Sequence, residues 1–141
     1  MKFGRFNFEE SVGIFGKNGS GKSTILKICC GLLQPDSGSI SVMGKSFNSS
    51  EESLQIKSRM GVMLHDDMIY PQLTIKENLV FYSKILGIKN TTENIQKISS
   101  LLDIDEYMNV PVLKLSNGNK RRASLGKSLL NDPDILIADE P

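Results

Sequence analysis

Gly16-Lys17-Asn18-Gly19-Ser20-Gly21-Lys22-Ser23-Thr24 joins a tight glycine-bearing turn to a lysine and two hydroxyls, and that combination can hold phosphate. The glycines let the backbone bend sharply and bring several N–H groups close to anionic oxygens. Lys22 supplies a mobile positive charge for the outer phosphates, and the Ser23 hydroxyl can ligate Mg2+. A helix starting at Lys22 would aim the positive end of its dipole at the same anion. The alternative is a merely flexible glycine turn, and the flanking residues weigh against it. Upstream, Ser11-Val12-Gly13-Ile14-Phe15 is a short apolar run suited to a buried parallel strand. Downstream, Ile25, Leu26, Ile28, Cys29, Cys30, Leu32 and Leu33 are apolar nearly all round, as expected of an enclosed helix. Gly31 is a mild interruption, and Pro35, Asp36 and Gly38 mark a loop. Strand, loop and helix together predict a bound nucleoside polyphosphate.

A second chemical group stands at the other end of the chain. Ile135-Leu136-Ile137-Ala138 predicts a buried strand, and Asp139-Glu140-Pro141 follows it. Acids at the carboxyl end of a parallel strand lie where open α/β sheets bind ligands. One acid can hold Mg2+, and the next can orient or deprotonate an attacking water. Taken alone, Asp-Glu after a strand is common surface chemistry; a phosphate-binding turn in the same chain gives it a purpose. Leu115-Ser116-Asn117-Gly118-Asn119-Lys120-Arg121-Arg122 reads as a turn entering a helix, capped by Ser116 or Asn117. It is either an ordinary capped helix or a second place for phosphate contact.

Several elements must position these groups. Ser39-Ile40-Ser41-Val42-Met43 alternates as a half-exposed strand ending at Gly44, and residues 47–52 read as a surface loop. Gly61-Val62-Met63-Leu64 predicts another buried strand. Ile75, Leu79, Tyr82 and Leu86 recur at helical spacing, with Thr74 and Glu77 as a capping box and Gly87 as the stop. A second helix enters at Thr91-Thr92 and places Ile95, Ile98, Leu101 and Leu102 on one face. A third runs from about Gly118 to Leu130 with Ala123, Leu129 and Leu130 inward. This order predicts a parallel α/β core carrying a helical insertion.

The 141 residues suit one domain, and a net charge of +1 gives no case for nucleic acid or an acidic membrane surface. Lys120-Arg121-Arg122 reads equally as a solvated helix face. No apolar run is long enough to span a bilayer and no secretory signal opens the chain, so the expected compartment is the cytoplasm. Cys29 and Cys30 are adjacent, a poor disulfide geometry, and read as small core residues.

In their order along the chain, residues 16–24, 115–122 and 135–141 resemble the ATP-binding subunit of ABC transporters over nearly the whole sequence. Met60-Gly61-Val62-Met63-Leu64-His65 sits where that family carries its Q-loop. Tyr70-Pro71-Gln72-Leu73-Thr74-Ile75-Lys76-Glu77-Asn78-Leu79 is similar to the segment opening its helical subdomain. The resemblance implies an α/β fold of the P-loop NTPase type. Its RecA-like parallel sheet core would comprise residues 1–65 and 120–141, and an inserted α-helical subdomain residues 66–119. It implies ATP and Mg2+ as cofactors. Two subunits would sandwich ATP head to tail, each nucleotide lying between one subunit's Walker A loop and the other's Leu-Ser-Gly-Gly-Gln-type loop.

By position, Gly16, Asn18, Gly19, Ser20, Gly21, Lys22, Ser23 and Thr24 would bind nucleotide. Ser116, Asn117 and Gly118 would touch the γ-phosphate of the partner's nucleotide. Glu140 would be the general base, His65 would join it in catalysis, and Asp139 and Ser23 would serve Mg2+. The implied function is ATP hydrolysis that powers a membrane exporter through ATP-driven dimerisation. The partners would be a second ATPase subunit and an integral membrane permease, on the cytoplasmic face of the inner or plasma membrane. A soluble ATPase of the translation or DNA-repair class is the alternative, and a non-catalytic regulator is disfavoured because Lys22, Ser23, Asp139 and Glu140 are all present.

The sequence also departs from the family pattern. His65 stands where Gln is usual, and with Tyr70 and the segment after it is similar to the haem-exporter ATPase of cytochrome c maturation. Asn117 and Asn119 replace a glycine and a glutamine; Asn tolerates left-handed backbone, but its side chain is expected to crowd the opposing phosphate and slow turnover. Gly126 lies inside a helix, where it costs roughly 1 kcal/mol against Ala. Phe3, Phe6 and Phe8 alternate as core residues of a strand, or could stack on a base. Fifteen residues precede the loop, and the sequence stops at Pro141, ahead of the family's D-loop and switch histidine. The expectation is an incomplete ATPase domain that alone binds ATP weakly and hydrolyses it barely.

Overall fold

The computed structural model describes residues 11–64 and 69–139. Phe3, Phe6, Phe8, His65, Glu140 and Pro141 lie outside the described residues. The elements in chain order are α1 (Lys22–Cys29), β1 (Ser41–Val42), β2 (Lys45–Ser46), α2 (Ser50–Lys57), β3 (Met60–Met63), α3 (Ile75–Ile85), α4 (Thr91–Leu101), α5 (Asn117–Ser128) and β4 (Ile135–Ala138). Short 3-10 turns, Asp105–Tyr107 and Val112–Lys114, link α4 to α5.

The two apolar runs ahead of His65 and Asp139 form the parallel pair the sequence calls for. Met60 pairs with Ile135, Gly61 with Leu136, Val62 with Ile137 and Met63 with Ala138. A parallel pair needs a long crossover, and α3, α4 and α5 supply it. Asp139 N–H extends the ladder by donating to Met63 O at 2.8 Å. An ion pair between Arg59 and Asp134 closes the entry end of the same pair. β1 and β2 form a two-residue hairpin whose turn residues, Met43 and Gly44, both have positive φ, the geometry that matches strand twist.

α3 begins and ends as its sequence dictates. The Thr74 hydroxyl accepts from Glu77 N–H at 3.1 Å, and the Glu77 carboxylate accepts from Thr74 N–H at 2.8 Å. At its end, Gly87 at φ 68 donates to Lys84 O and Ile88 donates to Ser83 O, a Schellman stop. Ile75 and Leu79 are buried and join Ile95, Ile98, Ile104, Val112, Leu115, Ala123 and Leu130 in the larger core. Each of these apart from Ala123 contributes about 1.5–3 kcal/mol by leaving water. Gly126 is buried among Ile98, Leu102 and Leu79, and an added Cβ would stand 3.1 Å from Ile98 Cγ2. Its propensity cost is therefore the condition for close approach of α3, α4 and α5.

The Thr74–Glu77 box makes acid stability testable. Hydrogen bonds from Thr74, backbone first and hydroxyl second, hold the Glu77 carboxyl below its ordinary 4.5. The unfolded chain takes the proton at 4.5 and the folded chain resists it. The box's contribution is thus complete above 4.5 and is lost as pH falls through the depressed folded value. Urea midpoints followed from about pH 6 to about pH 3 should fall more steeply for the parent than for Glu77→Gln. Parallel curves would show that the box carries no pH dependence.

Four sequence expectations are corrected. Residues 11–17 form no strand, and Phe15 is 93% exposed. A strand is completed by neighbours that pair its backbone and cover its faces, and among the described residues β3 and β4 pair only with each other. Residues 47–52 are not all loop: Ser49 accepts from Glu52 N–H and caps α2, which buries Ile56. Gly31 does more than interrupt a helix. At φ 64 it ends α1, donating to Ile28 O while Leu32 donates to Lys27 O. No α1 residue is fully buried, and Leu32 and Leu33 lie exposed beyond it. On α4, Leu101 is 72% exposed and Ser99 takes the inward place, because Leu101 lies off the 95–98–102 stripe.

Cys30 does belong to a core, the smaller one with Ile56 and Met60, beside Phe47. Burial pushes its thiol up to about 11. Cys29 is half-buried, also raised by burial, and both thiols are free. Neutral thiols of this kind behave as small apolar groups.

Candidate functional site

The turn ahead of α1 is shaped by local sequence. Gly19 and Gly21 sit at φ 79 and φ 91, conformations a side chain strains to reach. Gly21 is the N-cap of α1 and has no side chain to satisfy the helix's first N–H groups. Those donors remain directed into the loop, where an anion can take them. Ser20 N–H donates to Lys17 O at 3.1 Å. Lys22 Nζ folds back over the turn, donating to Gly16 O at 2.8 Å and to Lys17 O at 3.0 Å. At Gly16 an added Cβ would stand 2.7 Å from Ser20 Oγ. The turn is therefore a compact cradle braced by Lys22, with the Ser20 hydroxyl seated against Gly16.

The turn and the terminal acid share one cavity. Asn18, Gly19, Gly21, Lys22, Ser23 and Thr24 line one cavity of about 960 Å3, and Asp139 lines the same cavity from the end of β4. Its size is at the upper end for small-ligand sites. Gly61, Val62 and Leu64 of the β3 segment contribute the wall beside Asp139. Lys27, Lys57 and Lys127 line it as well, beside Lys22 and Asp139. Lysines on a cavity wall attract anionic ligands. These three lysines come from three helices and share no local motif, so nothing in the sequence marked them. Asn131 lines the cavity too, and its amide donates to Ser58 O at 2.8 Å.

The donors suit a magnesium ion held chiefly by phosphate and water. Among the described residues no group of three His, Cys, Asp or Glu side chains could hold a metal by itself. The Ser23 hydroxyl and the Asp139 carboxylate reach the same cavity, and a hydroxyl with a carboxylate is the sparse protein ligation Mg2+ accepts beside phosphates.

Ser116, Asn117 and Gly118 stand apart from this cavity, exposed at the start of α5. Ser116 caps that helix, its hydroxyl accepting from Asn119 N–H at 3.3 Å. Arg122, one turn on, donates to Asp103 O and pairs with the Asp103 carboxylate at 3.7 Å, so this part of the basic run is engaged within the fold. His65 and Glu140 lie outside the described residues.

The chain matches the family model described as "ABC transporter" over residues 4–141. It belongs to the ABC transporter family. Known relatives within the family come from both import and export systems. Nod factor export ATP-binding protein I of Rhizobium etli is 38% identical over 135 residues, 94% of this chain and 42% of that protein. Molybdenum import ATP-binding protein ModC of Paramagnetospirillum magneticum is 34% identical over 131 residues, 91% of this chain and 36% of that protein. ABC transporter ATP-binding protein NatA of Bacillus subtilis is 34% identical over 135 residues, 94% of this chain and 54% of that one. Among solved structures, cbiO1 of Clostridium perfringens, described as part of the ABC transporter complex cbiONQ, superposes with a TM-score of 0.76 at 25% identity. That match covers 89% of this chain and 52% of the other. The chain thus spans about a third to just over half the length of these relatives. An α/β fold of the P-loop NTPase type follows from this membership and likeness. No helix among the described residues is long and apolar enough to cross a membrane.

Proposed function

We propose that this chain is the nucleotide-binding part of an ABC-type ATPase subunit that binds and hydrolyses ATP to drive a membrane permease. The observation that carries this reading is that Lys22 and Asp139, from opposite ends of the sequence, line one lysine-rich cavity. Gly16, Asn18, Gly19, Ser20, Gly21 and Thr24 form the phosphate cradle, and Lys22 turns from its loop carbonyls to the outer phosphates. Ser23 and Asp139 would hold Mg2+, which neutralises charge on the phosphate oxygens when bound. Glu140, next after Asp139, is the residue to accept a proton from the attacking water, and His65 is a second group at the outer phosphate.

Ser116, Asn117 and Gly118 are exposed at a helix start, so they are free to meet a nucleotide held by a second subunit. Head-to-tail pairing would complete each site from two chains. The cytoplasmic face of a membrane is the place where such a pair would meet its permease. Relatives named for import and for export are similar to this chain at comparable identity.

Equilibrium titration of the purified chain with ATP and with AMP, each with and without Mg2+, tests the reading. Tighter binding of the triphosphate, enhanced by Mg2+, is expected from a cradle that grips outer phosphates. Equal affinity for ATP and AMP would remove the phosphate role of residues 16–24.

A further inference from the structure

Asn78 is fully buried on the first turns of α3, and its amide holds the chain that enters the helix. Its Oδ1 accepts from Tyr70 N–H at 2.8 Å. Its Nδ2 donates to Tyr70 O at 3.0 Å, Thr74 O at 3.0 Å and Leu73 O at 3.4 Å. Only an amide meets this demand, since one end must accept and the other must donate to carbonyls. The segment so held is in turn bonded to a distant one. Val112 N–H donates to Leu73 O at 3.0 Å, Leu113 N–H to Pro71 O at 2.9 Å and Lys76 N–H to Met108 O at 3.0 Å. Thr74 and Pro111 form an antiparallel bridge. The second segment leads within a few residues through buried Leu115, whose N–H donates to Val112 O, to Ser116, the cap of α5.

We propose that Asn78 is a positioning residue for Ser116, Asn117 and Gly118: it locks residues 70–74 and 108–115 into one unit, so that the start of α5 is held from the start of α3. This rests on the reading of those three residues as contacts to a partner's nucleotide, although the lock itself does not. The two segments are bonded to each other and adjoin the same core, so a pin on one restrains the other. The coupling is reciprocal. Loosening residues 70–74 therefore loosens the cap at Ser116, and loosening residues 111–113 releases the Tyr70 and Leu73 amides.

Amide hydrogen exchange on the full chain tests this without nucleotide, so a chain that fails to bind ATP leaves the result readable. Asn78→Asp keeps the acceptor and places a carboxylate oxygen against three carbonyls. Exchange at Val112, Leu113 and Asn119 should rise by about tenfold or more, because buried groups lose their partners. The Asp139 amide, bonded to Met63 O on the parallel pair, should keep its rate. The second variant, Leu113→Pro, acts at an exposed position and deletes one bond between the segments. It should speed exchange at Tyr70 and Leu73, and it carries the test if Asn78→Asp does not fold. Faster exchange confined to the substituted segment, or spread evenly to Asp139, would overturn the proposal. Either outcome reduces Asn78 to a local cap or a general core residue.

Discussion

Lys22→Ala should weaken Mg-ATP binding by about 30-fold or more, the effect of removing about 2–5 kcal/mol of charge-assisted hydrogen bonding. The side chain has two tasks that fail together. It braces the turn, with Nζ donating to Gly16 O and Lys17 O, and it carries a mobile charge at the first position of α1. Lys27 and Lys57, also on the cavity wall, preserve a general attraction for anions. Inorganic phosphate or AMP should therefore bind the variant almost as the parent does, and the loss should appear only with the triphosphate. Calorimetric titration with the three ligands separates these cases. Because Lys22 is the first residue of a helix with no fully buried member, thermal stability should change little. A variant that binds Mg-ATP like the parent would take Lys22 out of the site.

The parts of this molecule that were legible in its sequence are those governed by neighbours in the chain. Thr74 with Glu77 and the stop at Gly87 satisfy backbone groups within one turn, so a few residues suffice to announce them. Residues 16–24 are legible for the same reason, since spacing alone sets the turn and the lysine that closes it. Asp139 was placed by a local rule as well, a carboxylate directly after an apolar strand. Other features depend on what lies across the fold. Residues 11–15 have the composition of a buried strand, yet a ladder and two covering faces come from elsewhere. The segment after Phe47 looked like loop because Asn and serines favour turns, although Ser49 and Glu52 in fact have capping spacing and Ile56 is buried against Met60 and Cys30. Asn78 stood in the sequence only as a member of residues 70–79, and its four bonds run to backbone atoms that the folded chain brings to it.

Gly61→Val should cost at least about 3 kcal/mol of stability, above the common range for an overpacked core. In the sequence Gly61 is an unremarked member of an apolar run, and its φ is not of the kind that requires glycine. Its requirement is space. An added Cβ would overlap the carbonyl oxygen of Ser128 at the end of α5, and would stand 3.0 Å from Pro133 Cγ and 3.1 Å from Leu136 Cδ1. Side chains can turn away, but a helix-terminal carbonyl moves only with its helix. Valine's advantage in strands is at most about 1 kcal/mol and cannot offset that displacement. The loss would be a large share of the 5–15 kcal/mol typical of a domain.

It would also reach the site, because Gly61 and Ser128 both line the cavity and Leu136 is Gly61's register partner on the strand leading to Asp139. Urea unfolding gives the stability, and Mg-ATP titration below the transition reads the site. Gly61→Ala should fall between parent and Gly61→Val in both. If valine left the urea midpoint unchanged, the close seating of α5 on β3 would not be what aligns the terminal acid with the loop.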